Sequence, residues 1–230
     1  MQKVTQFDNA EILATAAADY FVQLGNECIL TKGKFTVALS GGSTPIALFK
    51  LLASIEYASK IDWKKIYIFW GDERCVALDS PENNAYQATT ILLDKVLVPK
   101  KNIFVIPVNE TPTNAAIYYE ATLKIFFKTD MPIFDLILLG LGDDGHTASL
   151  FPLTTILKEK TKLVKEVFLA AKNVWRVSFT EPLINKATHK LFLVVGKAKA
   201  DILNTIINGG IDTKKYPAQM IKNAEWLVCV

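Results

Sequence analysis

The sequence predicts an α/β protein with a mostly parallel, doubly wound sheet flanked by helices. Three observations predict it. Short, continuous apolar runs recur along the chain, helical stretches lie between them, and several runs break off into loops rich in Gly, Ser or charge. Strands buried on both faces lose the in–out alternation of a half-exposed strand. Unbroken apolar runs separated by helices are therefore the pattern of a parallel sheet covered on both sides.

Residues 3–7 are predicted as a short first strand. Asp8 with Glu11 three residues on reads as a capping box. Leu13, Ala17, Phe21, Leu24 and Cys28 follow at spacings of three and four, the apolar face of a helix that Gly33 ends. Phe35–Leu39 is the next strand. Thr44 is predicted to cap the following helix, with Pro45 at its first position and Leu48, Leu51 and Leu52 on its inner face. Ile66–Trp70 is a buried strand. Ser80-Pro81 opens a helix to about Asp94, and Thr111-Pro112 opens another to about Phe127. Phe134–Leu139, Val174–Phe179 and Leu191–Val195 are strands, 197–208 is a helix, and Trp226–Val230 is a closing strand. The stretch 152–173 is too irregular for any element to be assigned.

The chain has 230 residues, which suits one large domain, or one with a small appendage. No linker, repeat or low-complexity segment divides it, so a single domain over 1–230 is expected. Half the residues are hydrophobic and 21% are charged, a composition that can build a core without disulfides or metals. A net charge of +3, with no dense Lys/Arg run, argues against nucleic acid. Cys28, Cys75 and Cys229 are too few and too scattered for a disulfide framework or zinc site, and reduced thiols in the cytoplasm are the expectation. No apolar run reaches the length of a membrane span, and the first residues carry no signal-peptide pattern.

Three loops follow strands, at the carboxyl ends where a doubly wound sheet holds its ligand. In the first, Ser40–Pro45, Gly41 and Gly42 let the backbone approach an anion. Ser43 and Thr44 bring hydroxyls, and a helix N-terminus brings free N–H groups. The same outline serves an ordinary strand-to-helix turn, and no Walker lysine is present to make it a nucleotide loop. In the second, Gly71-Asp72-Glu73-Arg74, Arg74 can bind an anion while a carboxylate such as Asp72 orients it; a surface turn is the competing reading.

The third loop, Gly140–Pro152, holds a formal GxGxxG. Its two carboxylates would repel a pyrophosphate, so a dinucleotide site is rejected. Asp143, Asp144 and His146 lack a further clustered ligand for a metal, leaving His146 and Asp144 as an acid/base pair. The other histidine, His189, is expected to be structural or solvent-facing. Arg176, on an apolar strand, is costly to bury unpaired. With Lys199 it is a candidate phosphate partner; both could equally be surface cations.

These segments resemble 6-phosphogluconolactonases. The match runs in order through 40–45, 71–74, 140–152, Arg176-Val177-Ser178, 196–200 and Pro217-Ala218, and it spans nearly the whole chain. The resemblance implies hydrolysis of 6-phospho-D-glucono-1,5-lactone to 6-phosphogluconate, a step of the oxidative pentose phosphate pathway. It implies no metal or organic cofactor and a phosphorylated sugar lactone as partner; a monomer or small homo-oligomer is the expectation, which the sequence does not narrow. It implies a phosphate site of Gly41, Gly42, Ser43, Thr44, Arg176 and Lys199, and His146 as base beside Asp144 and Arg74. The implied fold is the one shared with glucosamine-6-phosphate deaminases.

The chain departs from the family pattern at Ala77, where a proline is usual, and at Asn83-Asn84, where Ser-Asn is usual. The nearest rival reading is an aminosugar-phosphate deaminase, whose histidine loop carries an acidic residue just before the proline. Phe151 stands there in this chain and cannot transfer a proton. A non-catalytic sugar-phosphate sensor is the other rival, and no DNA-binding segment precedes Phe35 to support it.

Overall fold

The computed structural model describes residues 3–230. Strand β1 (Lys3–Gln6) leads into α1 (Ala10–Lys32), β2 (Phe35–Leu39), α2 (Ser43–Leu52), the single turn α3 (Ile55–Ala58), β3 (Ile66–Trp70) and β4 (Asp72–Arg74). Then come α4 (Asn84–Ala88), α5 (Pro112–Phe127), β5 (Leu136–Gly140), β6 (Val164–Leu169) and β7 (Val174–Phe179). The chain ends through α6 (Glu181–Lys186), β8 (His189–Val195), α7 (Ala200–Asn208) and β9 (Glu225–Cys229).

Six strands pair in parallel in the order β1-β9-β8-β5-β2-β3. Every residue of β2 is buried, and most of β3, β5 and β8 are too, which is why these segments read as apolar runs. The chain steps in one direction from β1 through β2 to β3, then returns through β5, β8 and β9. Right-handed crossovers put these two sets of connections on opposite faces of the sheet. β2 and β5 are neighbours whose following segments depart in opposite directions. The crevice beyond their carboxyl ends is the switch point at which such sheets hold ligands.

Val174–Phe179 is a strand as predicted, but it belongs to a second sheet. It is the centre of the antiparallel trio β4-β7-β6, with Asp72 opposite Ser178 and Arg74 opposite Arg176. Gly71 joins the two sheets. Its N–H still bonds Leu39 O of the parallel sheet at 2.9 Å, while its carbonyl accepts the Phe179 N–H at 2.7 Å. β6 lies in the stretch to which no element was assigned.

Three capping expectations are corrected. Asn9, not Asp8, caps α1, because its side-chain oxygen reaches the N–H groups of Glu11 and Ile12 at 3.0 and 2.9 Å. Gly42, not Thr44, begins α2. Its φ of 101° turns the chain so that helix starts at Ser43, and Thr44 and Pro45 fall inside the first turn. The helix predicted from Ser80-Pro81 starts only at Asn84. Asn83 caps it by accepting the Tyr86 N–H at 2.8 Å, and residues 89–93 continue as a wider π-type turn.

The apolar spacing of α1 is as predicted, with Leu13, Ala17, Phe21, Leu24 and Cys28 all buried. At the amino ends of β2 and β5 the buried Asp135 accepts the Thr36 N–H and hydroxyl at 2.9 and 2.8 Å, and pairs with Lys32. This clamp sits at the opposite end of the sheet from the switch point.

Candidate active site

Four loops and strands converge on a cavity of about 250 Å³ at the switch point. Gly41, Gly42, Ser43, Thr44, Asp72, Arg74, His146, Arg176 and Lys199 all line it; Asn84 does too. Asp144 stands behind His146 rather than on the cavity wall.

One wall is the start of α2. Gly42 provides no side-chain cap, so the first N–H groups of the helix are left with their positive dipole end facing the cavity. That is a ready anion site. Lys199 closes it from the far side, its ammonium fixed on Leu141 O at 2.5 Å.

The second wall is the β4–β7 ladder. Asp72 and Arg74 lie two apart on β4 and so share a face, while Glu73 points the other way. Asp72 accepts the buried Ser149 hydroxyl at 2.6 Å and lies 3.8 Å from the Arg176 guanidinium. Arg74 donates to Glu82 O at 2.7 Å. The Nε atoms of Arg74 and Arg176 are buried and find no partner among the described residues. Burial holds the Arg176 guanidinium below its ordinary pKa; Asp72 opposes this and Arg74 adds to it. Two cations on adjacent strands, with donors unspent, form an electrostatic demand for an anion.

The third wall is a tight turn, Gly142–Gly145, in which the Gly145 N–H bonds Gly142 O at 3.0 Å and Gly145 takes φ 80°. Asp144 Oδ1 accepts the His146 backbone N–H at 3.1 Å and lies 2.5 Å from its ring Nδ1. An ionised carboxylate can only accept, so Nδ1 carries a proton, and Nε2 is the ring nitrogen that this bond does not engage. Burial works to raise the Asp144 carboxyl, but the hydrogen bond and charge of His146 outweigh it and hold Asp144 below its ordinary value. Among the described residues no three His, Cys, Asp or Glu side chains converge as a metal cluster.

With an imidazole aligned by a carboxylate and an anion pocket on one cleft, the geometry suits a hydrolase for an anionic substrate. Residues 8–229 match the family model described as glucosamine-6-phosphate isomerases/6-phosphogluconolactonase. The chain belongs to that family. It is 39% identical to a 6-phosphogluconolactonase of Nostoc sp. over 214 residues, 91% of this chain and 87% of the relative. The crystal structure of 6-phosphogluconolactonase from Thermotoga maritima superposes with a TM-score of 0.85 at 27% identity, covering 100% of both chains. A monomeric glucosamine-6-phosphate deaminase shares the fold, with a TM-score of 0.83 at 19% identity, covering 99% of this chain and 97% of that one. No helix among the described residues is long and apolar enough to cross a membrane.

Sequence reasoning missed several residues of this family member's site. Glu73 is buried and takes the N–H groups of Arg74, Asn84 and Ala85, tying α4 to β4. Asn84 donates to Asp72 O at 2.9 Å, and its buried Oδ1 rests against Gly41, leaving no space for a Cβ there. Strand alternation across Asp72-Glu73-Arg74 was the available signal, since it separates the middle residue from its neighbours. Nothing in local sequence links Ser149 or Asn84 to Asp72, because those contacts cross the fold.

Proposed function

We propose that this protein hydrolyses 6-phospho-D-glucono-1,5-lactone to 6-phosphogluconate. The observation that carries the reading is the imidazole of His146, aligned by Asp144, sharing one cleft with the Gly41-Gly42 turn. The relatives' names supply the reaction, and the cleft supplies groups suited to it.

In this reading the phosphate binds the N–H groups at the start of α2, the hydroxyls of Ser43 and Thr44, and the cations Arg176 and Lys199. Its binding energy goes into orienting the distant carbonyl. Water attacks C1 while His146 Nε2 takes its proton, a contribution of about 10²- to 10⁴-fold. The C1–O5 bond then breaks, and the proton on Nε2 passes to the departing ring oxygen. That transfer returns the imidazole to its starting state, and the carboxylic acid so formed releases its proton to solvent. Arg74, whose side chain lines the cleft, is assigned to the carbonyl oxygen as negative charge develops there, a donor worth about 2.7–4 kcal/mol in such roles. Asp72 orients Arg176. A single domain over 1–230 belongs to this reading, and the meeting of residues from 40 to 199 in one cleft supports it. The cytosol suits an enzyme whose three cysteines stand unpaired among the described residues.

The decisive assay is lactone hydrolysis above the spontaneous background at mildly acidic pH. The intact chain is expected to accelerate it and His146→Ala to lose most of the acceleration while still binding 6-phosphogluconate. A near-normal rate in that variant would remove His146 from the mechanism. Ammonia released from glucosamine 6-phosphate would favour the deaminase reading instead.

A further inference from the structure

The side-chain bond from Asp144 holds one nitrogen of the His146 ring but packs against neither of its faces. Two other contacts crowd the ring. Gly142 lies so close to it that a Cβ there would overlap it. The Phe151 ring is stacked on it with centroids 3.9 Å apart and planes 23° from parallel. Phe151 is itself 6% exposed and is followed by Pro152, which stiffens the backbone that carries it. Its ring also lies 5.8 Å from the Arg176 guanidinium carbon.

We propose that Phe151 is a positioning residue for the base: its ring face, together with the bare Cα of Gly142, holds the His146 imidazole in the plane that aims Nε2 into the cleft. The inference rests on the lactonase reading for its kinetic consequence, though not for its geometric one. The imidazole is stacked by Phe151, crowded by Gly142 and bonded at Nδ1, which leaves the edge bearing Nε2 to meet substrate. Arg176 sits at the edge of reach of the same ring, so the phosphate partner and the base share one packing element. Phe151 has no polar atom to exchange a proton, so it acts on the base through packing.

Orientation is a large lever, since misplacing a catalytic group by 1 Å can cost about 10²-fold. Phe151→Leu keeps an apolar side chain but removes the flat face. It is expected to lower kcat about 10- to 100-fold, with KM and 6-phosphogluconate affinity changed less than about twofold. Phe151→Tyr keeps the face, and Phe151 lines a cavity of about 740 Å³. It is expected to restore the rate to within about threefold of the unaltered protein.

Proton NMR of the imidazoles gives a reading that needs no turnover. The chain has two histidines, and His189→Gln leaves the His146 signals alone in the spectrum. Ring current from Phe151 should hold them upfield, and Phe151→Leu should release them downfield. Unmoved His146 signals in folded Phe151→Leu protein would overturn the proposal, as would an unchanged kcat. Absence of lactone hydrolysis by the unaltered protein would instead overturn the proposed reaction while leaving the spectroscopic test to be judged alone.

Discussion

Glu73 is 1% exposed, with three backbone N–H donors around its carboxyl. Burial pushes that carboxyl up to about 7, against the pull of those donors. A carboxyl with a folded pKa above its unfolded value holds its proton more firmly when folded. Its contribution to stability is complete below the unfolded value near 4.5 and is lost as pH rises to about 7. Denaturant midpoints should therefore fall between those limits, by up to ~3 kcal/mol in unfolding free energy. Glu73→Gln should flatten that stretch of the profile; an unaltered slope would assign it to other groups. The residue also illustrates what local sequence hides. His146, Asp144 and the glycine turn were readable because their chemistry is contiguous. Glu73 and Ser149 were not, because each is defined by a partner that only the fold brings near.

Among the elements, strands β2, β3, β5, β8 and β9 of the parallel sheet and the long helices α1 and α5 were legible, since burial on a regular surface imposes its period on five or more residues. β4 has three residues, too few to carry a period, and its charges belong to the site rather than to a core. β6 mixes buried Val164, Val167 and Leu169 with partly exposed Lys165 and Glu166, which blurs any alternation. The helix at 84 was placed too early because Ser80-Pro81 resembles a start. The structure spends that segment on a turn, and Glu73 holds the true first turn. The Asp135 clamp is the corresponding test of an element junction. Asp135→Ala leaves the Thr36 N–H without its buried acceptor and should cost about 1–3 kcal/mol. Thermal melting should register the loss while kcat stays near normal, since the clamp is remote from the cleft. A large fall in kcat at full stability would contradict that separation.

For the whole molecule, the site exists only because two sheets meet at Gly71. The parallel sheet brings the α2 start, the histidine turn and Lys199; the antiparallel sheet brings Asp72, Arg74 and Arg176. A ligand that spans both should stabilise the folded chain by mass action, about 2.7 kcal/mol at a hundredfold excess over Kd. 6-Phosphogluconate is thus expected to raise Tm in the intact protein and in Asp135→Ala. Arg176→Ala should lose most of that rise, along with a higher KM for the lactone. An equal rise in Arg176→Ala would take this arginine out of the phosphate pocket.

The glycine turn and the histidine turn grow from adjacent strands, β2 and β5, whose registered pairing of Val37 with Leu136 and Ala38 with Ile137 fixes how far apart they begin. Neither can drift without breaking backbone hydrogen bonds in the middle of the sheet. With the phosphate seated at one turn, the cleft becomes a gauge of fixed length. A phosphorylated lactone one carbon shorter would be gripped at its anchored end and stop short of the imidazole. Selection by length would then show as a slower kcat on the shorter compound at nearly equal affinity.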